Sequence, residues 1–183
     1  MKRVLSVLLA VCIIFSLSIG VFAATINISA DKPEIKAGED VIVTVTAADA
    51  MENYFAFEYS LYFDDTKFDL KVNDKGVSIG QTNTYVTVSK KFTDSKGSFY
   101  KISALNPTGG DFSYAAGEYL ANLIFTAKSD ITSTADAKFE LTILVSSRMD
   151  DSTGIPVPVG DTAGPAVTVT VTPAAQTSKY SVA

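Results

Sequence analysis

Tyr54-Phe55-Ala56-Phe57-Glu58-Tyr59-Ser60-Leu61-Tyr62-Phe63-Asp64 is the stretch whose reading decides the fold. Strand side chains point alternately to opposite faces, so Phe55, Phe57, Tyr59, Leu61 and Phe63 are expected on one side and Ala56, Glu58, Ser60 and Tyr62 on the other. A row of large apolar groups needs a second apolar layer, which a strand-rich chain provides as a second sheet. The odd-numbered face is therefore expected to be core and the even-numbered face to meet water or a partner.

Outward from this segment, the same alternation returns at Thr25 to Ser29, Val41 to Ala47, Phe68 to Val72, Tyr85 to Ser89, Ser98 to Ala104, Tyr119 to Lys128, Phe139 to Val145 and Val167 to Val171. Ile155 to Val159 reads as a short edge strand, because Pro156 and Pro158 cannot donate to a central ladder. Turn signals separate these runs: Asp31 to Asp40 with Pro33 and Gly38, Asp64-Asp65-Thr66-Lys67, Thr93 to Gly97, and the Gly- and Pro-containing loop after Leu105. By parity, Tyr59 and Tyr119 belong to the core. No segment shows helical periodicity, so the expectation is an all-β sandwich of about nine strands with jelly-roll or Greek-key connections.

The chain opens Met1-Lys2-Arg3, continues in an apolar run from Val4 to Ile19 and leaves through Gly20-Val21-Phe22-Ala23-Ala24. A basic start, an apolar middle and a small-residue exit read as a secretory signal peptide cleaved after Ala23, the run being shorter than the ~20 residues of a spanning helix. The organisation read from the sequence is a signal peptide over 1–23, one domain over 24–172 and a linker or frayed tail over 173–183, rich in Pro, Ala, Ser and Thr. The mature product is expected to be extracellular, free or held at the cell surface, with no membrane segment after cleavage.

Removal of residues 1–23 takes Cys12, Lys2 and Arg3, leaving thirteen cations against twenty carboxylates, a formal charge of −7, and no Cys, His or Trp. That composition excludes disulfides, thiol chemistry, zinc sites built on Cys or His, and Ser-His-Asp or Cys-His catalysis. An acidic chain whose remaining arginine is Arg148 also lacks the clustered positive charge that nucleic acid requires. A glycosidase needs two carboxylates facing across a cleft, whereas Asp64, Asp65, Asp69, Asp111, Asp150 and Asp151 lie in or beside turns, which such residues usually cap. Asp150, Asp151 and Asp161 share a loop without the spaced ligands of a calcium motif, so calcium there is unsupported and no metal or other cofactor is expected.

Four segments together resemble the cohesin family. They are Pro33 through Gly38-Glu39-Asp40-Val41-Ile42-Val43-Thr44-Val45, the aromatic strand closing on Phe63-Asp64 with Phe68 beyond it, the Gly97 turn before Phe99 to Ala104, and Gly117-Glu118-Tyr119-Leu120-Ala121-Asn122-Leu123-Ile124-Phe125-Thr126-Ala127-Lys128. The resemblance spans roughly residues 26–171. It implies a nine-stranded jelly roll without enzymatic activity that receives a dockerin helix on one flat sheet face, in assemblies that degrade polysaccharide. The family's outward Asn and, two residues on, Asp fall on Ala56 and Glu58, so the amide is missing here and the acceptor retained. On this basis the partner-binding residues are expected to be Ala56, Glu58, Ser60 and Tyr62, with Tyr85, Leu105, Asn106 and Gly109 at the rim. The alternatives are a carbohydrate-binding sandwich using a tyrosine row (Tyr59, Tyr62, Tyr100, Tyr114, Tyr119) in place of tryptophan, and a structural Ig-like surface domain.

Overall fold

In the computed structural model, residues 23–73 and 78–175 are described. The expected signal peptide thus lies outside the described residues except for Ala23, and so does most of the expected tail. Fourteen strands occur among the described residues, and no helix. They are β1 (Thr25–Ala30), β2 (Glu34–Lys36), β3 (Asp40–Ala47), β4 (Met51–Phe63), β5 (Phe68–Leu70), β6 (Gln81–Thr82) and β7 (Val86–Thr93). They continue as β8 (Ser98–Leu105), β9 (Phe112–Tyr114), β10 (Tyr119–Ala127), β11 (Ala135–Met149), β12 (Pro156–Pro158), β13 (Thr162–Ala163) and β14 (Val167–Thr172).

The nine strands expected from alternation are all present. The surplus consists of β2, β6, β9, β12 and β13, each of three residues or fewer, of which only β12 was foreseen. Pieces this short carry too few residues to show a period, and β2 and β9 sit inside segments read as a turn and a loop.

The first sheet runs β13-β1-β3-β10-β5 with β6 beside β10, and the second runs β2-β14-β11-β4-β8-β7 with β12 on β11 and β9 on β4. The pairs β1/β13 and β2/β14 are parallel. Successive long strands pass from one sheet to the other, β3 to β4 and β4 to β5, which is the jelly-roll pattern. Val41, Val43, Val45, Leu123 and Phe125 of the first sheet face Tyr59, Leu61, Ile102, Phe139, Val169 and Val171 of the second, all fully buried. Rings cross the gap: Phe125 lies 5.2 Å from Phe63 and 5.0 Å from Phe139, and Phe68 lies 5.2 Å from Phe139.

Two parity assignments are corrected, each by a bulge. Phe55 was expected in the core, but in the ladder with β11 the partners step from Ala56 to Tyr54, leaving Phe55 as the extra residue, half-buried. Tyr54 takes the inward place and is buried. Asn53, with φ at 56°, supports this bend, since asparagine tolerates the left-handed region. Tyr119 was likewise expected inside. A register shift between Tyr119 and Ala121 leaves it exposed while Leu120 and Ala121 are both buried.

Candidate functional site: the outer face of the second sheet

From Ala56 to Tyr62, the even-numbered side chains of β4 lie on the outer face of the second sheet, in rows fixed by the ladder. Tyr62 stands between Glu140 and Phe99, Ser60 between Thr142 and Lys101, Glu58 between Val145 and Ser103, and Ala56 between Ser147 and Leu105. β7 extends the first row, placing Phe92 opposite Phe99.

At the Tyr62 end the face is tied together by charge and aromatic contact. The Tyr62 hydroxyl donates to Asp94 Oδ2 at 2.7 Å, and its ring packs on Phe99 at 4.9 Å, which stacks on Phe92 at 5.6 Å. Lys96 Nζ sits 4.4 Å over the Tyr62 ring and donates to Glu140 Oε1 at 2.7 Å and Thr142 Oγ1 at 2.9 Å. Hydrogen bonds from Lys138 and Lys96 pull the Glu140 carboxyl down to about 2. The Tyr62 hydroxyl, with the backbone amides of Lys96 and Gly97, holds Asp94 below its ordinary value, and the same bond raises Tyr62.

In the middle of the face Glu58 is half-exposed, paired with Lys101 at 2.7 Å and receiving a longer bond of 3.4 Å from Ser103 Oγ. Ser60 departs from its expected role as a contact residue. It is buried to 1%, beneath a surface built by flanking Thr142 and Lys101, and its hydroxyl has no hydrogen-bond partner among the described residues.

The rim residues divide. Leu105 is 53% exposed at the end of β8, and Tyr85 is exposed with φ at 66° and its ring 5.9 Å from Phe112. Asn106 is buried: its carbonyl oxygen accepts from the Thr108 amide at 3.0 Å and the Thr108 hydroxyl at 2.7 Å, which shapes the loop. Gly109 closes that turn with φ at 80° and its amide on the Asn106 carbonyl. Asn106 and Gly109 therefore hold the rim in place, while Leu105 and Tyr85 are available for contact.

The family model for the cohesin domain matches residues 26–154. The chain belongs to the cohesin family. Solved structures agree in fold. The seventh ScaB type I cohesin from Pseudobacteroides cellulosolvens is 17% identical, with a TM-score of 0.55 over 82% of this chain and 93% of that one. The cohesin module of a family 33 glycoside hydrolase from Clostridium perfringens is 13% identical, with a TM-score of 0.55 over 83% and 98%. The sixth cohesin of scaffoldin B from Acetivibrio cellulolyticus, solved in complex with a Cel5 dockerin, is 21% identical, with a TM-score of 0.51 over 83% and 99%. No curated protein matches the sequence. As a cohesin the chain is a non-catalytic module for protein–protein interaction.

Sequence reading missed two exposed apolar residues on this cohesin's face. β11 carries an extra residue between Ile143 and Val145, so Leu144 and Val145 are 48% and 54% exposed where strict alternation would have sent Val145 inward. The signal available was the unbroken Ile143-Leu144-Val145, which no two-residue period can place on one side. Lys96 and Lys101, which neutralise the face, were missed because their partners are forty residues away in sequence or more.

The tyrosine row considered for sugar stacking is dismantled by burial: Tyr59, Tyr100 and Tyr114 are in the core, Tyr62 is capped by Lys96, and Tyr119 alone is exposed. The loop aspartates are occupied separately. Asp150 caps its own turn through the Ser152 and Thr153 amides, Asp151 accepts from Asn53, and Asp161 is buried among tyrosine hydroxyls.

Proposed function

We propose that this cohesin is a secreted adaptor that captures a dockerin-type protein on the outer face of its second sheet, within an extracellular polysaccharide-degrading assembly. The observation that carries the reading is open apolar surface on that face: Leu144 and Val145 on one side of Glu58, and Leu105 on the other side of Ala56. Apolar area bordered by charged and polar groups is the anatomy of a protein interface. The Glu58–Lys101 and Lys96–Glu140 pairs supply that border. Ala56 removes a polar contact and leaves space beside Leu105, so affinity rests on apolar burial with Glu58 as a directional acceptor. The dockerin complex of the Acetivibrio relative supports the partner class, and the leader over 1–23 supports export. The module binds without a metal of its own.

The test is capture from the native secretome by residues 24–172, against the same protein carrying Leu105→Asp and Val145→Asp. Retention of dockerin-bearing proteins by the wild type is expected, weakened about tenfold or more in the variant, with the melting temperature within about 2 °C because both positions are exposed. Retention of polysaccharide alone, or capture that the two aspartates leave unchanged, would overturn the reading.

A further inference from the structure

Ala23 is exposed and Ala24 is 1% exposed, so among the described residues burial begins at Ala24. The Ala24 amide donates to Asp161 Oδ1 at 2.9 Å. Asp161, in the segment between β12 and β13, is itself buried, and two further donors meet its carboxylate: Tyr54 Oη at 2.6 Å and Tyr59 Oη at 2.9 Å. The Ala24 carbonyl accepts from the Thr162 amide, and β13 continues alongside β1 from Thr25. A single carboxylate thus ties the start of the first sheet to the central strand of the second.

We propose that Asp161 is a built receptor for the new N-terminus that signal-peptide cleavage creates at Ala24, so that processing converts a hydrogen bond from a neutral amide into a buried ion pair. The proposal rests on the export reading above. Hydrolysis adds water across the Ala23–Ala24 bond, leaving a carboxylate on Ala23 and an amine on Ala24 that takes up a proton. The nitrogen that donated one amide hydrogen to Asp161 then carries a full positive charge at the same place. Surface ion pairs contribute little because both charges are hydrated and mobile. Here the carboxylate is desolvated and fixed by two tyrosines whether or not cleavage occurs, so exchanging its neutral donor for a cationic one adds attraction without a new cost of burying Asp161. Burial, and then Asp161, raise both tyrosines, which therefore remain protonated donors. The other charged groups at this end are Asp49, whose carboxylate accepts from the Thr25 amide, and Arg148, whose field reaches Tyr54.

The geometry selects one position. A chain beginning at Ala23 places its ammonium one residue outward, about 3.8 Å along the chain, in solvent. The unprocessed chain has no positive charge on the Ala24 nitrogen, so the folded domain gains this stability only after its leader is removed.

The test compares three chains: one starting at Ala24 with a free amine, the same chain N-acetylated, and one starting at Ala23. The free Ala24 chain is expected to melt about 3 °C or more above both others, and its amine to react with an acylating reagent at least tenfold more slowly than that of the Ala23 chain. Equal melting temperatures, or equal labelling, would overturn the receptor. In Asp161→Asn the difference between free and acetylated Ala24 chains should vanish, and its persistence would count against Asp161 as the group responsible. If that variant does not fold, the length and acetylation series still decides. The mass of the exported protein is a separate readout: a first residue other than Ala24 would overturn coupling to processing without touching the three-chain result.

Discussion

Ser60 shows why a parity rule places a side chain on a face but does not make it available. Its position on the outer face was legible from the sequence, yet Lys101 leans across to Glu58 and the serine ends buried, with its hydroxyl unmatched among the described residues. A buried hydroxyl without a partner costs roughly 1–3 kcal/mol of desolvation. Ser60→Ala is therefore expected to leave stability unchanged or raise it by up to about 1 kcal/mol in urea unfolding, with secretome capture intact; a loss of similar size would mean the hydroxyl is satisfied in solution. Tyr62 behaves in the opposite way. It combines a hydrogen bond to Asp94, ring packing on Phe99 and the Lys96 ammonium above it, so its replacement perturbs both the fold and the face, and it is a poor probe of recognition alone.

At the level of strands, the long alternating runs were readable because burial of one face imposes a period of two. What escaped was the phase of that period across bulges. β4 from Phe57 to Phe63 matches expectation, but the extra residue at Phe55 brings Tyr54 inward to meet Asp161; the extra residue in β11 turns Leu144 and Val145 outward; and the shift after Tyr119 exposes that ring. Each bulge is a register shift against a neighbouring strand distant in sequence, and only in β11 does a local run, Ile143-Leu144-Val145, mark it. The short strand β6 depends on a comparable nonlocal fit. A Cβ on Gly80 would sit 1.8 Å from the Asn122 carbonyl oxygen on β10, too close for any side chain. Gly80→Ala must therefore push the backbone away and weaken the pairing of Gln81 and Thr82 with Asn122 and Ala121. A loss of about 2 kcal/mol is expected, with faster amide exchange confined to β6 and its partner; an alanine variant as stable as the parent would mean this segment does not pack on β10.

For the whole molecule, the placement of charge sets how stability varies with pH. Carboxylates held below their ordinary values by donors include Asp40 beside Lys71, Glu118 beside Asn83 and Glu140, at about 2, beside Lys138 and Lys96. A depressed folded value means stability that is complete above the unfolded value and lost as pH falls through the folded one, so the acid limb should begin below about pH 4.5 and continue toward about 2. Burial works in the other direction on Tyr54, Tyr59 and Tyr114, the last pushed up to about 12. A raised tyrosine gives stability that is complete below its unfolded value and lost as pH climbs, so an alkaline limb should begin near pH ~10. Between the limbs a chain that begins at Ala24 has neither histidine nor cysteine to titrate. With the Ala24 amine acetylated, the unfolding free energy should therefore be level from about pH 5 to about pH 9. Urea titrations across that interval check this directly, since a slope would reveal a proton bound differently by the folded and unfolded chains. The free-amine chain run in parallel should instead begin to lose stability above about pH 8, because a paired ammonium stabilises the fold only while it is charged, and the divergence of the two curves measures the attraction at Asp161.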